Sequence, residues 1–517
     1  MDILQINKLD NVAVALTDLT KGKIIQIDEH DIILKENIPA GHKIALKNIN
    51  KDEQIIKYSF SIGHATDDII AGSHVHTHNL KTNLGKILNY SYKPTKISNL
   101  PKIENCTFKG YQRENGDVGI RNNLWIVPTV NCVTSTVRYL EKIGKELIKN
   151  YPNIDDCIGI THPYGCSQIG KDYQMTQKIL ADIVNHPNAG AVLVISLGCE
   201  NNNLTEFKKI LGNYNSDRVK FLVTQEVEDE DIIGKQLLTE LATFANKYTR
   251  TTCPISKLRI GLKCGGSDGF SGITANPLIG ELSDLAIGSG ATTVLTEVPE
   301  MFGAETLLMN RAINEDIFHK TVDLINNFKQ YFKRYDQPIS DNPSPGNKAG
   351  GITTLEDKSL GCVQKGGHAP IVDVLDYGDT INKVGLQLLN APGNDSVSTT
   401  ALAASGCQII LFSTGRGTPW GTIVPTIKIA TNSKLAQHKS KWIDFNAGEL
   451  IEKSSMEKLR NELFDYILTI ISGKLTKSEQ MHFNEIAIMK DFVNLPDRKS
   501  TRLNSSHTDI TRMPSSA

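Results

Sequence analysis

The sequence predicts an α+β multidomain protein: a small β-rich N-terminal domain followed by two α/β domains of Rossmann-like type. Short apolar runs alternating with turn residues fill residues 1–92, the pattern of short strands joined by tight turns. Residues 93–105 hold Pro94 and Pro101 among several lysines and show no periodicity, so they read as a linker. Beyond them, continuous apolar runs alternate with stretches of helical period, as when parallel strands are connected through helices. A chain of 517 residues accommodates three such domains at about 150 residues each.

In the β-rich part, Asn11–Leu16, Gly22–Ile27, Ile38–Leu46 and Ile69–His76 are the strand-forming runs, and an independently packed domain is expected there. The first α/β domain, residues 106–255, opens on a buried strand at Asn123–Val130. A helix over Ser135–Asn150 follows, with Val137, Leu140 and Ile143 on one face. Ala189–Gly198 is apolar throughout, as strands covered on both faces are, and Arg218–Thr224 and a helix over Asp229–Lys247 complete the unit. The second α/β domain, residues 256–497, is expected to hold strands at Arg259–Cys264, Thr292–Thr296 and Cys407–Phe412. Its helices are expected over Ala304–Arg334 and Met456–Ser472. Residues 498–517 are rich in Ser and Thr without apolar period and read as a non-native tail.

Composition narrows the function. Lys+Arg number 56 against 57 Asp+Glu, a net charge of -1 that gives no general attraction to nucleic acid or anionic lipid. The longest strongly apolar run, Ala189–Leu197, falls short of the ~20 residues of a membrane helix. No basic region and apolar stretch of a secretory leader stand at the start, and the nine cysteines form no CxxC pair or disulfide framework. A cytoplasmic protein acting on a small molecule is the expectation, with a homo-oligomeric state left open.

Several motifs can carry chemistry. His74, His76 and His78 alternate, so on one strand they would share a face at ~6.6 Å intervals and suit a first-row divalent metal or an anion. The plainer alternative is a solvated edge strand. Cys199 and Cys264 end apolar runs and Cys166 follows a shorter one; thiolates there suit soft iron, or a cluster, against the ordinary fate of buried thiols. Three Gly-rich loops, Cys264–Gly272, Asn342–Gly351 and Ser413–Pro419, are polar enough to seat a polyol, with Lys348 and Arg416 supplying charge. None is a phosphate-binding Walker loop or a dinucleotide fingerprint. Glu297 and Glu300 follow a strand and fit either a base, a hard-metal ligand or a helix cap.

Taken together these residues resemble the altronate/galactarate dehydratase family over about residues 1–495. The resemblance is carried by Asp10–Leu16, Gly41–Lys43, His74–Asn79, Asn115–Asn122, His162–Gln168, Pro187–Ile195 and Gly198–Asn202. It continues through Cys264–Asp268, Thr274–Pro277, Thr296–Glu305, Asn342–Lys348 and Thr414–Pro419. It implies an SAF-type module for residues 1–92, and the His run is similar to the altronate branch. The implied reaction is loss of water from D-altronate to give 2-dehydro-3-deoxy-D-gluconate in hexuronate catabolism, with Fe2+ support and Mn2+ as a substitute. An iron–sulfur cluster is the alternative cofactor. On this resemblance, Lys348 and Arg416 grip the carboxylate, with Ser267, Asp268, Asn276 and Asn347 lining the substrate site. His162, His42 or Lys348 moves protons, and the metal is held by a subset of His74, His76, His78, Cys166, Cys199 and Glu200. Other sugar-acid dehydratases, a sulfo-lyase and a non-catalytic sugar-acid binder are the competing readings.

Overall fold

A computed structural model describes residues 2–27, 30–96 and 99–491 of the protein; the expected tail at 498–517 lies outside the described residues. In the N-terminal module an antiparallel sheet runs in the order Ile3–Leu4, Val12–Ala15, Lys43–Ala45, His74–Val75. Val12–Ala15 is buried at every position, which is why it reads as apolar without alternation. A second small sheet pairs Gln54–Lys57 with Phe60–Ala65, and Leu80–Lys81 joins it. Tyr58 and Ser59 form its hairpin turn, both left-handed at φ 61° and 63°, a conformation that a two-residue turn requires and that Asn-Gly would adopt more cheaply. Asp10 holds the turn by accepting the Ser59 amide at 2.7 Å.

Two parallel sheets follow. The first has the order Cys157–Gly159, Asn123–Pro128, Ala189–Ser196, Val219–Val223. Leu124 and Ile126 face Val137, Leu140, Leu238 and Leu241 of the helices Thr134–Leu147 and Glu230–Ala245. Trp125 and Val127 point the other way, toward Ile179 and Ile183 of the helix Gly170–Asn185, as alternation along a strand demands. That second face is continuous with Leu402, Ile410 and Phe412 of the next domain. The larger sheet is seven-stranded and parallel throughout: Ile371–Leu375, Leu386–Leu389, Thr292–Leu295, Arg259–Cys264, Ile409–Thr414, Thr426–Ala430, Phe445–Asn446.

Two expectations are corrected. The helix expected over Ala304–Arg334 is broken into Glu305–Met309 and Glu315–Arg334. The interruption lets the Ile313 amide donate to Ile371 O at 3.1 Å beside the sheet edge, and Asn314 restarts the helix by capping the Ile317 amide. The N-terminal module is also not independently packed. Val12, Ile55, Ile62 and Val75 belong to one buried cluster with Leu262, Leu355 and Leu360 of the C-terminal domain. The segment read as a linker is pinned as well: the Thr95 amide donates to Asn310 O and the Ile103 amide to Ser289 Oγ, both at 2.9 Å.

Polar contacts fix this junction more tightly than the apolar ones. Lys43 Nζ donates to Gly351 O, Thr353 Oγ1 and Asp357 Oδ2 at 2.8, 2.7 and 2.8 Å, and Lys57 Nζ donates to Asp357 Oδ1 at 2.9 Å. All three charged groups are buried. Burial opposes ionisation of Asp357, but the two ammonium groups override it and hold the carboxyl well below its ordinary range. Burial pushes the Lys43 ammonium down to about 8 against the pull of Asp357. Removing the shared carboxylate strands two buried cations, so Asp357→Ala is expected to cost about 3–5 kcal/mol in urea unfolding. A loss under about 1 kcal/mol would show that the clamp does not hold the module.

Candidate functional site

The three Gly-rich loops converge. They emerge beyond the carboxyl ends of the central strands Arg259–Cys264 and Ile409–Thr414, where open parallel sheets hold ligands, and from around the short helix Pro345–Ala349. Gly269 N donates to Gly350 O at 2.7 Å, and the Gly415 and Arg416 amides donate to Gly266 O at 3.1 Å. Glycine is required where the N-terminal module meets them. A β-carbon on Gly269 would lie 1.9 Å from Gly41 O, and one on Gly351, itself at φ +99°, 2.3 Å from the same oxygen.

The loop residues expected to line a substrate site divide in two. Asp268 accepts from the Ser271, Thr431 and Asn432 side chains and the Phe270 amide, and burial keeps its pKa above the ordinary value despite them. Asn276 accepts from Ser413 Oγ and donates to Gly361 O; Asn347 accepts from the amide and hydroxyl of Ser344, the N-cap of its helix, and donates to Ser267 O. These three hold the loops to one another. Ser267 Oγ, by contrast, is buried with no hydrogen-bond partner among the described residues, and it lines a small cavity with Asp357 and Lys358. Lys348 and Arg416 carry no ion pair among the described residues, and a β-carbon at Gly346 would lie 3.8 Å from Arg416 Nε, so the guanidinium lies over the Lys348 helix.

The imidazoles arrive from the N-terminal module. The strand bearing them ends at Val75, so His74, His76 and His78 do not share a strand face as expected. Asn79 bends the chain instead, accepting the His76 amide at 2.9 Å and donating to His74 O at 2.9 Å. His78 is left exposed in the turn. His42 takes its place: ligand atoms of His42, His74 and His76 all lie within 4.8 Å of one another. His42 Nδ1 is 2.9 Å from His74 Nε2, while His42 Nε2 faces Ala349 O at 3.4 Å and His76 Nδ1 faces Thr353 Oγ1 at 3.0 Å. Burial, then the neighbouring imidazoles, lowers His74 to about 3, and burial followed by Lys43 lowers His76 to about 4. Both rings are therefore neutral near pH 7 and present lone pairs.

Beneath these loops lies a group that sequence reasoning found only in part. Cys264 Sγ is 3.4 Å from Cys362 Sγ and 3.0 Å from Glu300 Oε2, and Lys358 Nζ meets Glu300 Oε1 at 2.7 Å. Cys362, Lys358 and Asp357 belong to the helix Leu355–Cys362, in which every residue is buried. A helix buried on all sides offers no apolar stripe to read, and no sequence signal marks these residues. Lys43 and Lys57 were likewise invisible as ordinary surface lysines.

The remaining candidates lie in the second domain. His162 is buried, with Nε2 2.8 Å from Pro128 O and Nδ1 accepting the Tyr164 amide at 3.2 Å; burial lowers its pKa to about 4. Cys166 and Cys199 are exposed. Glu200 accepts from Ser196, Thr129 and the Leu197 and Gly198 amides at 2.5–3.1 Å. None of these four joins either close group of metal-competent side chains among the described residues.

Family profiles match residues 1–83 (altronate/galactarate dehydratase SAF domain), 110–246 (D-galactarate dehydratase/altronate hydrolase, second domain) and 255–494 (D-galactarate/altronate dehydratase, C-terminal). The chain is 54% identical over 496 residues to an altronate dehydratase of Bacillus subtilis, covering 95% of this chain and 99% of that one. The chain belongs to the altronate/galactarate dehydratase family. An altronate dehydratase of Escherichia coli is 50% identical across 96% of this chain and all of its own length, and an E. coli galactarate dehydratase (L-threo-forming) 36% identical across 94% and 96%. No helix among the described residues is long and apolar enough to cross a membrane. Within this family member Glu200 has the environment of a structural carboxylate. Glu200→Ala should cost about 2 kcal/mol in urea unfolding, from the buried donors it leaves unpaired, and leave metal content unchanged; loss of bound metal would make it a ligand instead.

Proposed function

We propose that the protein is a hydro-lyase that dehydrates D-altronate to 2-dehydro-3-deoxy-D-gluconate in hexuronate breakdown, on an SAF module set against two Rossmann-like α/β domains. The observation that carries this reading is the close group of His42, His74 and His76 set against Ala349 and Thr353 of the C-terminal loop, in a chain about half identical to altronate dehydratases across nearly its whole length.

Three nitrogen donors of borderline softness suit Fe2+, with Mn2+ as a substitute. The Ala349 carbonyl and the Thr353 hydroxyl, on the far nitrogens of His42 and His76, would fix those rings as outer-shell partners do. When bound, such an ion supplies Lewis-acid polarisation of the hydroxy-acid group. The side chains supply the rest. Arg416 offers a planar fork for the carboxylate and cannot release a proton. Of these two side chains, proton transfer therefore falls to Lys348. Its nitrogen takes the C2 hydrogen, the C3–oxygen bond breaks, and the same nitrogen returns the proton to the departing hydroxyl, which leaves as water. The enol left behind ketonises to the 2-keto acid.

Lys348→Met is expected to lower kcat by roughly 10²–10⁴-fold with little change in KM. Arg416→Met should chiefly raise KM. The reverse pattern would exchange their roles. His76→Ala should abolish tight Fe2+ binding in equilibrium dialysis while His162→Ala retains it, and equal binding by both would move the ion away from the imidazoles. A panel of aldonates and aldarates, assayed for 2-keto-3-deoxy acids, tests the substrate: preference for galactarate would overturn the altronate reading. Full activity in protein free of acid-labile sulfide would dispose of the cluster alternative.

A further inference from the structure

We propose that Cys264, Cys362 and Glu300 form a second metal centre, sealed inside the C-terminal domain, that takes a thiophilic divalent ion such as Zn2+ or Fe2+. The proposal is independent of the reaction assigned above and concerns residues that the reaction does not use.

The donors already stand at nearly the separations an ion imposes. Tetrahedral ligation with metal–sulfur bonds of about 2.3 Å and metal–oxygen bonds of about 2.0 Å gives edges of roughly 3.8 Å between sulfurs and 3.5 Å from sulfur to oxygen. The observed edges are 3.4 Å between the sulfurs and 3.0 and 3.3 Å from Cys264 and Cys362 to Glu300 Oε2. An outward movement of a few tenths of an ångström per edge would admit the ion. All three residues are buried.

Charge points the same way. Around the trio lie Lys263, Lys358 and Lys365, set against Glu297, Glu300 and Asp395. Lys263 pairs with Glu297 and, at 2.9 Å, with Asp395; Lys358 meets Glu300 at 2.7 Å; Lys365 is 3.7 Å from Glu297. With both thiols protonated these six charges cancel. A divalent ion that displaces the two thiol protons leaves the balance unchanged, whereas two thiolates without it would add two uncompensated charges to a buried site.

A fourth ligand would come from the side of Cys362, the one member of the trio that lines a cavity. Glu297 is committed to Lys263, Lys365 and the Cys264 amide, so it does not supply it. A cavity of about 10 Å³ lined by Cys362, Lys358 and Ser267 has room for one water. Such a centre would tie the end of the strand Arg259–Cys264, the turn holding Glu300 and the end of the helix Leu355–Cys362. Through Lys358, which reaches Asn342 and Asn347 at 3.1 and 3.4 Å, it would brace the loop carrying Lys348.

The test uses the full chain as His74→Ala, which removes an imidazole of the other group and so keeps the two readings apart. Metal-free, reduced protein is titrated anaerobically with Co2+. A near-ultraviolet thiolate-to-cobalt charge-transfer band is expected, saturating at one ion per chain. It should fall by half or more on adding either Cys264→Ser or Cys362→Ser and vanish with both. No band, or a band undiminished in the double variant, would overturn the proposal. Should the cysteine variants fail to fold, X-ray absorption of the cobalt-loaded His74→Ala protein decides: two sulfur neighbours at about 2.3 Å support the centre, and none refutes it.

Discussion

One buried carboxylate between two buried lysines holds the functional architecture together. Asp357 lies at the end of the path that carries the N-terminal module onto the C-terminal sheet, and both its oxygens are taken by Lys43 and Lys57. The clamp is costly to dehydrate, so its value lies in orientation rather than in bulk stability. Lys43 follows His42 directly in sequence and shares Thr353 with His76. The ion pair that docks the module therefore also sets the imidazoles against the loop Asn347–Thr353. Two modules joined only by an apolar seam could slide by a fraction of an ångström; a lysine with all three protons placed on Gly351, Thr353 and Asp357 resists such sliding.

The loops show how a polar site stays ordered without regular structure. Asp268, Asn276 and Asn347 spend their hydrogen-bonding capacity on neighbouring loops, while among the described residues Ser267 Oγ is buried without a partner and Lys348 and Arg416 carry no ion pair. Positions of similar chemistry thus do opposite jobs a few residues apart. The same holds for carboxylates. Glu200 is saturated by the Ser196 and Thr129 hydroxyls and two amides of its own turn, whereas Glu300 divides its oxygens between a lysine and two thiols.

Much of the fold was legible because burial leaves periodic marks. Ala189–Ser196 reads as a covered parallel strand and is one, and the helix Thr134–Leu147 shows its Val137 and Leu140 stripe. The interruption at Asn310–Asn314 was hidden because helical period continues across it, and only contact with the edge strand at Ile371 stops the helix. The convergence of three Gly-rich loops was legible from their composition. The identity of the third imidazole was not: a spacing of two residues suggests a strand, and the Asn79 turn that ends it, leaving His78 exposed with its ring 5.5 Å from that of His74, is a local hydrogen-bond effect that competes with it. His42 stands more than thirty residues earlier and meets the others only through strand pairing of Lys43–Ala45 with His74–Val75. Lys43, Lys57 and Asp357 left no trace, since nothing local distinguishes a buried charged residue from a solvated one.

The central claim is that the reacting substrate lies where the N-terminal imidazoles face the C-terminal loops. Anomalous diffraction at the manganese edge, from crystals grown with Mn2+ and altronate, locates the ion and the sugar acid together. A peak within bonding distance of His42, His74 and His76, with the substrate carboxylate against Arg416, is the predicted result. A substrate and ion lodged in the second domain beside His162, Cys166 and Cys199 would contradict it.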